Sequence, residues 1–402
     1  MKEMTQVIEK NNQKRLHLPY LDGLRGLAAL YVVLVHVEPS MGGELPLHWL
    51  LLVRIMQYGA FSVVSFIVLS GYVLMLPVAR SENGHLTGSF INYLKRRARR
   101  ILPPYYIALL ICIFISAVVF VLEQFTSFRW NKLAGAGAFD PHFSWIDVIS
   151  HLLLVHNLHS STYLTINPPM WTIATEWQTY FIFPLLLLPI WRCWGLLSVV
   201  IISFTIGLIP ISFTNGFLAS ANPWFLGIFT LGMAAADIGF SQKTQLVAIK
   251  NSLPWGRLAI IFTGMAVITE WRRLGLHIWI NQSFAGLAFA CLIIYLTKSI
   301  MENKQPPLAL QILQHPWAIA LGTFSYSLYL THGPVLVFVR YGLFYLPLSP
   351  DMFAAASYVV GTAISLIVAY WFYLFCERPF MSNFLKQRKI KDVLISETST
   401  KN

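Results

Sequence analysis

The most conspicuous shortage in the sequence is charge. Only 11% of the 402 residues are Asp, Glu, Lys or Arg, whereas 56% are hydrophobic and the mean hydropathy is +0.61. A soluble globular chain carries about 25% charged residues, so this chain lacks the polar surface that would keep a body of its length in water. The shortage excludes a cytosolic enzyme, a disordered chain, a collagen-like fibre and a small secreted scaffold. It indicates a polytopic membrane protein.

Cysteine is scarce as well. The four cysteines, Cys112, Cys193, Cys291 and Cys376, lie in or beside apolar runs, and no pair has the CxxC spacing. They are typical of small core side chains rather than of a disulfide framework or a zinc site. We therefore expect no metal site, either at these cysteines or among the histidines of residues 123–169.

Ten apolar segments approach the length that a bilayer requires, which is about 20 mainly apolar residues. They are residues 21–38, 59–78, 101–122, 170–190, 195–214, 223–240, 256–270, 278–297, 317–339 and 352–376. The pattern predicts an all-α bundle of about ten transmembrane helices. The membrane domain is expected over residues 21–376, between an N-terminal tail over 1–20 and a C-terminal tail over 377–402.

Positive charge is distributed unevenly between these segments. If the N-terminus lies in the cytoplasm, 22 Lys and Arg fall in cytoplasmic segments, six fall in outer segments, and Arg25 lies within the first span. The positive-inside rule then predicts that both termini lie in the cytoplasm. We expect the protein to lie in the inner (cytoplasmic) membrane. Most of the net charge of +12 thus reflects topology. No basic soluble domain is available for nucleic acid, so the expected partner is the lipid bilayer; the sequence is silent on oligomeric state.

Two ionisable residues of the first span share one helix face. Arg25 and His36 are eleven positions apart, which corresponds to about 16 Å along the axis and a face offset of roughly 20°. Arg keeps its proton and suits an anionic group such as a phosphate, whereas His exchanges a proton near neutral pH and suits base catalysis. The alternative is a snorkelling Arg and a core His bonded to a neighbouring helix.

Three further charged residues are candidates for a site. Arg97 and Arg100 stand at i, i+3 ahead of the third span, where they can face a phosphate together, although such clusters are also topology signals. Glu176 lies within the fourth span, with Thr172 and Tyr180 four positions away on either side. Both can share its face and bond to it, and the alternative to a functional role is a protonated Glu in an interhelical hydrogen bond.

The ninth span carries a polar stripe. Ser325, Tyr329 and His332 stand at i, i+4 and i+7, so they should face the bundle interior, either as packing contacts or as substrate-binding groups. Gly333 and Pro334 follow directly and predict a kink beside the histidine.

Five motifs in order resemble the acyltransferase 3 family of membrane acyltransferases. They are YLDGLRGLAALYVVLVH, FSVVSFIVLSGYVL, RRARRILPPYY, MWTIATEWQTYFIFPLLL and LGTFSYSLYLTHGPVLVF, and CERPF closes the match. The resemblance extends from about residue 19 to 380. Some members carry a C-terminal hydrolase-like domain, and we expect none here because few residues follow Cys376.

The resemblance implies transfer of an acyl group, usually acetyl, to a hydroxyl of a carbohydrate such as lipopolysaccharide O-antigen, exopolysaccharide or peptidoglycan, free or lipid-linked. The implied donor is acetyl-CoA or another acyl-CoA, with no permanently bound cofactor. The resemblance also implies that Arg25, His36, Arg97 and Arg100 are essential and that Glu176 occupies the acidic position of the family. Two serines of the family's pattern before this Glu are replaced here.

These residues predict a mechanism. The acyl-CoA phosphates would meet Arg97, Arg100 and Arg25 from the cytoplasm. His36 would act as general base, with Glu176 fixing its tautomer. No serine or cysteine stands out as a nucleophile, which favours direct transfer. The alternative function is a proton-coupled secondary transporter, since intramembrane His, Glu and Arg also build proton relays, but the inverted halves typical of many transporters are not found in the sequence.

Overall fold

The computed structural model describes residues 18–81, 84–86, 88–135, 139–213 and 218–381, and these residues are mostly helical with no β-strand. The α-helices are α1 (Pro19–Val35), α2 (Leu47–Met56), α3 (Gly59–Ala79), α4 (Phe90–Phe125), α5 (Trp145–Leu152), α6 (Trp171–Ile182), α7 (Leu188–Phe213), α8 (Phe225–Phe240), α9 (Thr244–Ser252), α10 (Trp255–Thr269), α11 (Ile278–Met301), α12 (Leu308–Gln311), α13 (Pro316–Thr323), α14 (Ser325–Phe344) and α15 (Pro350–Phe372). The all-α prediction is confirmed. The predicted tails lie largely outside the described residues.

The predicted count of ten spans is not confirmed. Six helical stretches of the described chain are long and apolar enough to cross a membrane, and the bent pair α9–α10 would make a seventh. Helix α1 has only 17 residues, about 26 Å, which is short of a hydrocarbon core of about 30 Å. The predicted span 317–339 is divided at Phe324, which leaves helical geometry with φ −118° and ψ 18° between α13 and α14.

The helical stretch Pro168–Ile211 contains the fourth and fifth predicted segments. Its 44 residues would measure about 66 Å as one straight helix, twice the thickness of a bilayer core. Gly195 interrupts it with φ 83° and ψ −175°, a conformation that glycine adopts without a Cβ penalty. The break lies where the sequence separates residues 170–190 from 195–214.

Helix α1 lies deep in the bundle because two glycines allow backbone contact with the region of α13. A Cβ on Gly26 would collide with the Ala318 carbonyl, and one on Gly322 would collide with the Asp22 carbonyl. Near the start of α1, the hydroxyls of Tyr20 and Thr297 are 2.7 Å apart. The α1 start and the α11 end therefore lie at the same end of the molecule.

Helix α14 continues through Gly333 and Pro334, where the sequence predicts a kink. A proline leaves the carbonyl four residues earlier without its helical hydrogen bond, which is one reason why prolines kink helices. Here that carbonyl belongs to Leu330, and the Asn167 Nδ2 donates to it over 2.8 Å. The side chain therefore satisfies the carbonyl that Pro334 leaves without a backbone donor.

Arg340 joins the far end of α14 to two loops. Its side chain is almost fully buried and donates to the carbonyls of Ala134 (2.5 Å), Ser40 (2.6 Å) and Glu38 (3.3 Å), and also to Leu133. Four carbonyl acceptors match the fixed fork of guanidinium donors. Arg340 thus holds the end of α14 against these two loops, at the end of the molecule opposite Arg25.

The loop region after α4 has its own charged contact. His142 lies 3.1 Å from Glu123 Oε2 and 3.0 Å from Asp140 Oδ1. Partial burial lowers the pKa of His142, but hydrogen bonds to the two carboxylates outweigh it and raise the pKa above its ordinary value. The contact therefore favours the imidazolium, which can donate to both carboxylates at once.

Candidate active site

A cavity opens between α1, α3, α4, α6 and α14, towards the end of the bundle where α1 begins. Its walls contain six of the eight residues that the sequence singles out, namely Arg25, Arg97, Arg100, Glu176, Ser325 and Tyr329. We call it the cationic cavity, because three guanidinium groups face it together with one carboxylate. The two remaining candidates, His36 and His332, do not line it.

The carboxylate of Glu176 is held by two hydroxyls. Tyr180, one turn later on α6, donates to its Oε1 over 2.6 Å, which confirms the expected contact. Ser70 of α3 donates to the same oxygen over 2.9 Å. Thr172, the other expected partner, instead donates to the Tyr329 hydroxyl over 2.7 Å. Ser70 was missed because only tertiary packing brings α3 against α6, although it lies within one of the five motifs.

The three arginines have few protein partners. The side chain of Arg25 is 21% exposed, and its Nη1 is 3.5 Å from the Asp22 carboxylate, a long ion pair. Arg97 lies over the Tyr180 ring at 5.8 Å from the centroid, a cation–π distance. Guanidinium groups with unused donors are suited to bidentate contacts with phosphate. The cavity can therefore hold a polyanionic ligand.

A column of three rings leads away from the cationic cavity. The Tyr329 ring, which lines the cavity, is 5.8 Å from the His332 ring, and the His332 ring is 5.1 Å from that of His36. Ser325, Tyr329 and His332 do face the bundle interior, as the stripe on α14 predicts. The column connects the cavity to His36, which caps the C-terminal end of α1.

Backbone carbonyls orient both imidazoles. His36 Nδ1 is 2.8 Å from the Val32 carbonyl, and His332 Nδ1 is 3.1 Å from the Leu328 carbonyl. Because a carbonyl only accepts, each Nδ1 carries the proton and each Nε2 keeps a free lone pair. The expected role of Glu176 in fixing the His36 tautomer is therefore wrong for this structure, since Val32 does so and Glu176 bonds elsewhere.

His36 also lines a second, small cavity on the far side of the column. This cavity is lined by Glu38, Arg340 and Ser357 as well. Ser357 Oγ is buried there without a hydrogen-bond partner in the described part of the chain. His36 thus lies between the His332 ring and a small space next to the loops that Arg340 holds.

The Tyr329 hydroxyl can act as a hydrogen-bond donor to a ligand. It accepts the Thr172 hydrogen bond over 2.7 Å, and it has no hydrogen-bond partner other than Thr172 among the residues that the structure describes. Thr172 can instead donate to the Pro169 carbonyl, 3.2 Å away. The nearby Tyr326 lines the same cavity, but its hydroxyl donates to the Ile101 carbonyl over 3.0 Å. Of these two tyrosines, only Tyr329 can donate to a ligand without losing a protein hydrogen bond.

Glu377 is a buried carboxylate to which the sequence interpretation assigns no role. Its Oε2 accepts from the Ser327 hydroxyl over 2.5 Å and from the Ser327 amide over 3.2 Å, in the first turn of α14. A carboxylate at a helix N-terminus satisfies free amides and opposes the helix dipole. Glu377 therefore positions the helix that carries Ser325, Tyr329 and His332. The motif CERPF contained the signal, an acidic residue directly after the last apolar run.

Replacing Glu377 by alanine is expected to destabilise the protein by about 2–4 kcal/mol, because two buried donors on Ser327 lose their acceptor. Glu377→Gln keeps one acceptor oxygen and should cost less. Thermal unfolding of the purified chain in detergent measures both, with the exposed Glu44→Ala as control. Equal unfolding midpoints for Glu377→Ala and Glu44→Ala would show that Glu377 has no such role.

Comparison with known proteins agrees with the motifs. The family model described as an acyltransferase domain matches residues 18–374. O-acetyltransferase OatA of Staphylococcus aureus is 23% identical over 384 residues, which cover 90% of this chain and 57% of the relative. Peptidoglycan O-acetyltransferase OatA of Listeria monocytogenes is 22% identical over 391 residues, covering 92% of this chain and 56% of the relative.

The chain therefore spans little more than half the length of these two relatives. No solved structure matches it with significance. The family match, by contrast, extends over most of the chain and includes α1 to α14, and with them every candidate residue of the cationic cavity and both histidines of the column. On this match, the chain belongs to the acyltransferase 3 family.

Proposed function

We propose that the chain is a membrane O-acetyltransferase that moves an acetyl group from acetyl-CoA to a hydroxyl of a cell-envelope glycan. The observation that carries the proposal is the cationic cavity, in which three arginines lie at the base of a ring column that ends at His36. Family membership supports acyl transfer. The names of the two relatives support O-acetyl transfer. The name of the Listeria relative favours peptidoglycan over O-antigen as the first acceptor to test.

The donor enters the cationic cavity with its phosphates against Arg25, Arg97 and Arg100. These cations face the cavity with donors that the protein leaves unused, and phosphate oxygens accept bidentate hydrogen bonds from guanidinium groups. The cavity opens at the end where α1 begins, which the charge distribution predicts to be cytoplasmic, the compartment that supplies acetyl-CoA. The long pantetheine arm then carries the thioester towards Tyr329.

The transfer itself uses His36 and Tyr329. His36 Nε2 takes the proton from the acceptor hydroxyl as its oxygen attacks the thioester carbonyl. The Tyr329 O–H donates to the oxyanion of the tetrahedral intermediate. When the C–S bond breaks, the proton passes from the imidazolium to the leaving sulfur, which gives free coenzyme A and the acetylated glycan. The His332 ring packs against that of His36, and its Nε2 is buried without a partner in the described chain.

Replacing both Arg97 and Arg100 by glutamine tests the donor site. Each charge-assisted hydrogen bond contributes about 1.5–3 kcal/mol, so KM for acetyl-CoA should rise by about 100-fold while the fold persists. Lys95→Gln is the matched control, because Lys95 lies on the same helix, is exposed and has no side-chain partner among the described residues.

Acetyl-CoA consumption by membranes that contain each variant measures this effect. An unchanged KM in the double variant would contradict the assignment of these arginines to the donor. Proton-driven uptake of a solute by vesicles, without any consumption of acetyl-CoA by the wild-type chain, would instead establish the secondary transporter.

A further inference from the structure

A long groove runs along the antiparallel pair α10–α11, away from the cationic cavity. Small and apolar side chains form its walls, among them Ala259 and Ile260 of α10, Ala285 and Leu292 of α11, and Phe61 of α3. From Ala285 to Lys298 it follows 13 residues of α11, a length of about 20 Å. One leaflet of a bilayer has a hydrocarbon depth of about 15 Å. The groove is thus long enough for the acyl chain of a single lipid.

The protein leaves part of the apolar length of this groove open. Gly264 lines it, and a Cβ built on Gly264 would meet nothing within 4 Å. Ile260, which also lines it, is 74% exposed. An apolar surface of this kind within a membrane-spanning hairpin is covered by hydrocarbon in the bilayer.

One end of the groove is basic. Arg257, Lys298 and Lys304 line it there, together with a single carboxylate, Glu302. Glu302 lies 2.7 Å from the Lys304 Nζ and 3.9 Å from the Lys298 Nζ. Arg257 has neither a hydrogen bond nor an ion pair within the described part of the chain. This end of the groove therefore carries three positive charges and one negative charge.

The basic end lies at the depth where lipid headgroups are expected. Helix α9 precedes it, contains no buried residue, and is bent by 71° from α10, as a helix that lies along the membrane surface would be. Lys298 directly follows Thr297 in α11, and the Thr297 hydroxyl contacts that of Tyr20 at the start of α1. The basic end of the groove therefore lies at the same end of the molecule as the start of α1. The positive-inside rule assigns this end to the cytoplasmic leaflet, whose lipids include anionic ones.

We propose that this groove binds one phospholipid with an anionic headgroup. An acyl chain lies between α10 and α11, and the phosphate and its neighbouring headgroup charge lie against Arg257, Lys298 and Lys304. The apolar walls accept any diacyl lipid. The surplus of positive charge is the feature that selects an anionic headgroup over a zwitterionic one.

Native mass spectrometry of the full-length chain in detergent tests the proposal, with phosphatidylglycerol and phosphatidylcholine of identical acyl chains as probes. We expect phosphatidylglycerol to be retained about fivefold more than phosphatidylcholine. Arg257→Gln combined with Lys304→Gln should bring the two lipids to equal retention. Lys95→Gln removes a cation outside the groove and should leave the preference intact.

A second variant separates the apolar part of the groove from its basic end. Gly264→Trp places a large side chain in the open space and should reduce retention of both lipids, with an unchanged thermal unfolding midpoint as the folding control. Glycerol phosphate, which has the headgroup charge but no acyl chain, should not displace the lipid. Equal retention of the two lipids by the wild-type chain, or an undiminished preference in the double variant, would overturn the proposal. No acetyl transfer enters these measurements, so their outcome is independent of the proposed function.

Discussion

Replacing His36 by alanine is expected to lower acetylation of the glycan by about 100-fold or more, the contribution typical of a general base. His36 Nδ1 is committed to the Val32 carbonyl, so its Nε2 is the basic atom, and alanine supplies no base in its place. Because His36 follows the last residue of α1 and is only half-buried, the helix should form without it. Mass spectrometry of the released glycan measures the loss.

His48→Ala is the matched control for His36→Ala. His48 lies on an exposed surface, 2.9 Å from the Asp351 carboxylate, and takes no part in the ring column. The His48→Ala variant should acetylate the glycan to the same extent as the wild type at equal expression. Wild-type levels of acetylation by the His36 variant would remove His36 from the mechanism.

Replacing Tyr329 by phenylalanine is expected to reduce kcat by about 100-fold to 1000-fold, the cost of one oxyanion donor. The ring and its contacts with His332 remain, so only the hydroxyl is lost. Since the hydroxyl contributes to the transition state more than to the ground state, KM for acetyl-CoA should change little. Steady-state consumption of acetyl-CoA in the presence of acceptor separates the two parameters.

Tyr326→Phe gives a control within the same cavity. Its hydroxyl is committed to the Ile101 carbonyl, so its removal takes no donor away from the substrate. We expect a change in kcat of no more than about tenfold, the effect of one ordinary hydrogen bond of about 0.5–1.5 kcal/mol. Equal kcat losses in the two phenylalanine variants would contradict the oxyanion role of Tyr329, because a general loosening of the cavity would explain both.

The sequence located much of the cationic cavity because charge inside an apolar chain is costly and therefore rare. Arg25, Arg97, Arg100 and Glu176 could be identified in this way, and helical periodicity correctly predicted that Tyr180 contacts Glu176. Helical periodicity could not predict which helices pack against each other. Contacts such as that between Ser70 and Glu176 depend on the packing of segments about a hundred residues apart.

The errors have a common physical origin in local patterns that tertiary contacts override. A Glu and a His in one membrane domain suggest a catalytic pair, but the Val32 carbonyl orients His36 instead. The predicted span 317–339 is divided at Phe324. The length of an apolar run does not reveal such a break in the helix.

One measurement tests the central claim most directly. The purified full-length chain is reconstituted in vesicles, labelled acetyl-CoA is supplied on one side, and peptidoglycan fragments are supplied as acceptor. The account predicts ester-linked label on a glycan hydroxyl with the wild-type chain, and label reduced to background with His36→Ala and with Tyr329→Phe. Absence of labelled glycan with the wild-type chain, or equal labelling by all three chains, would contradict it.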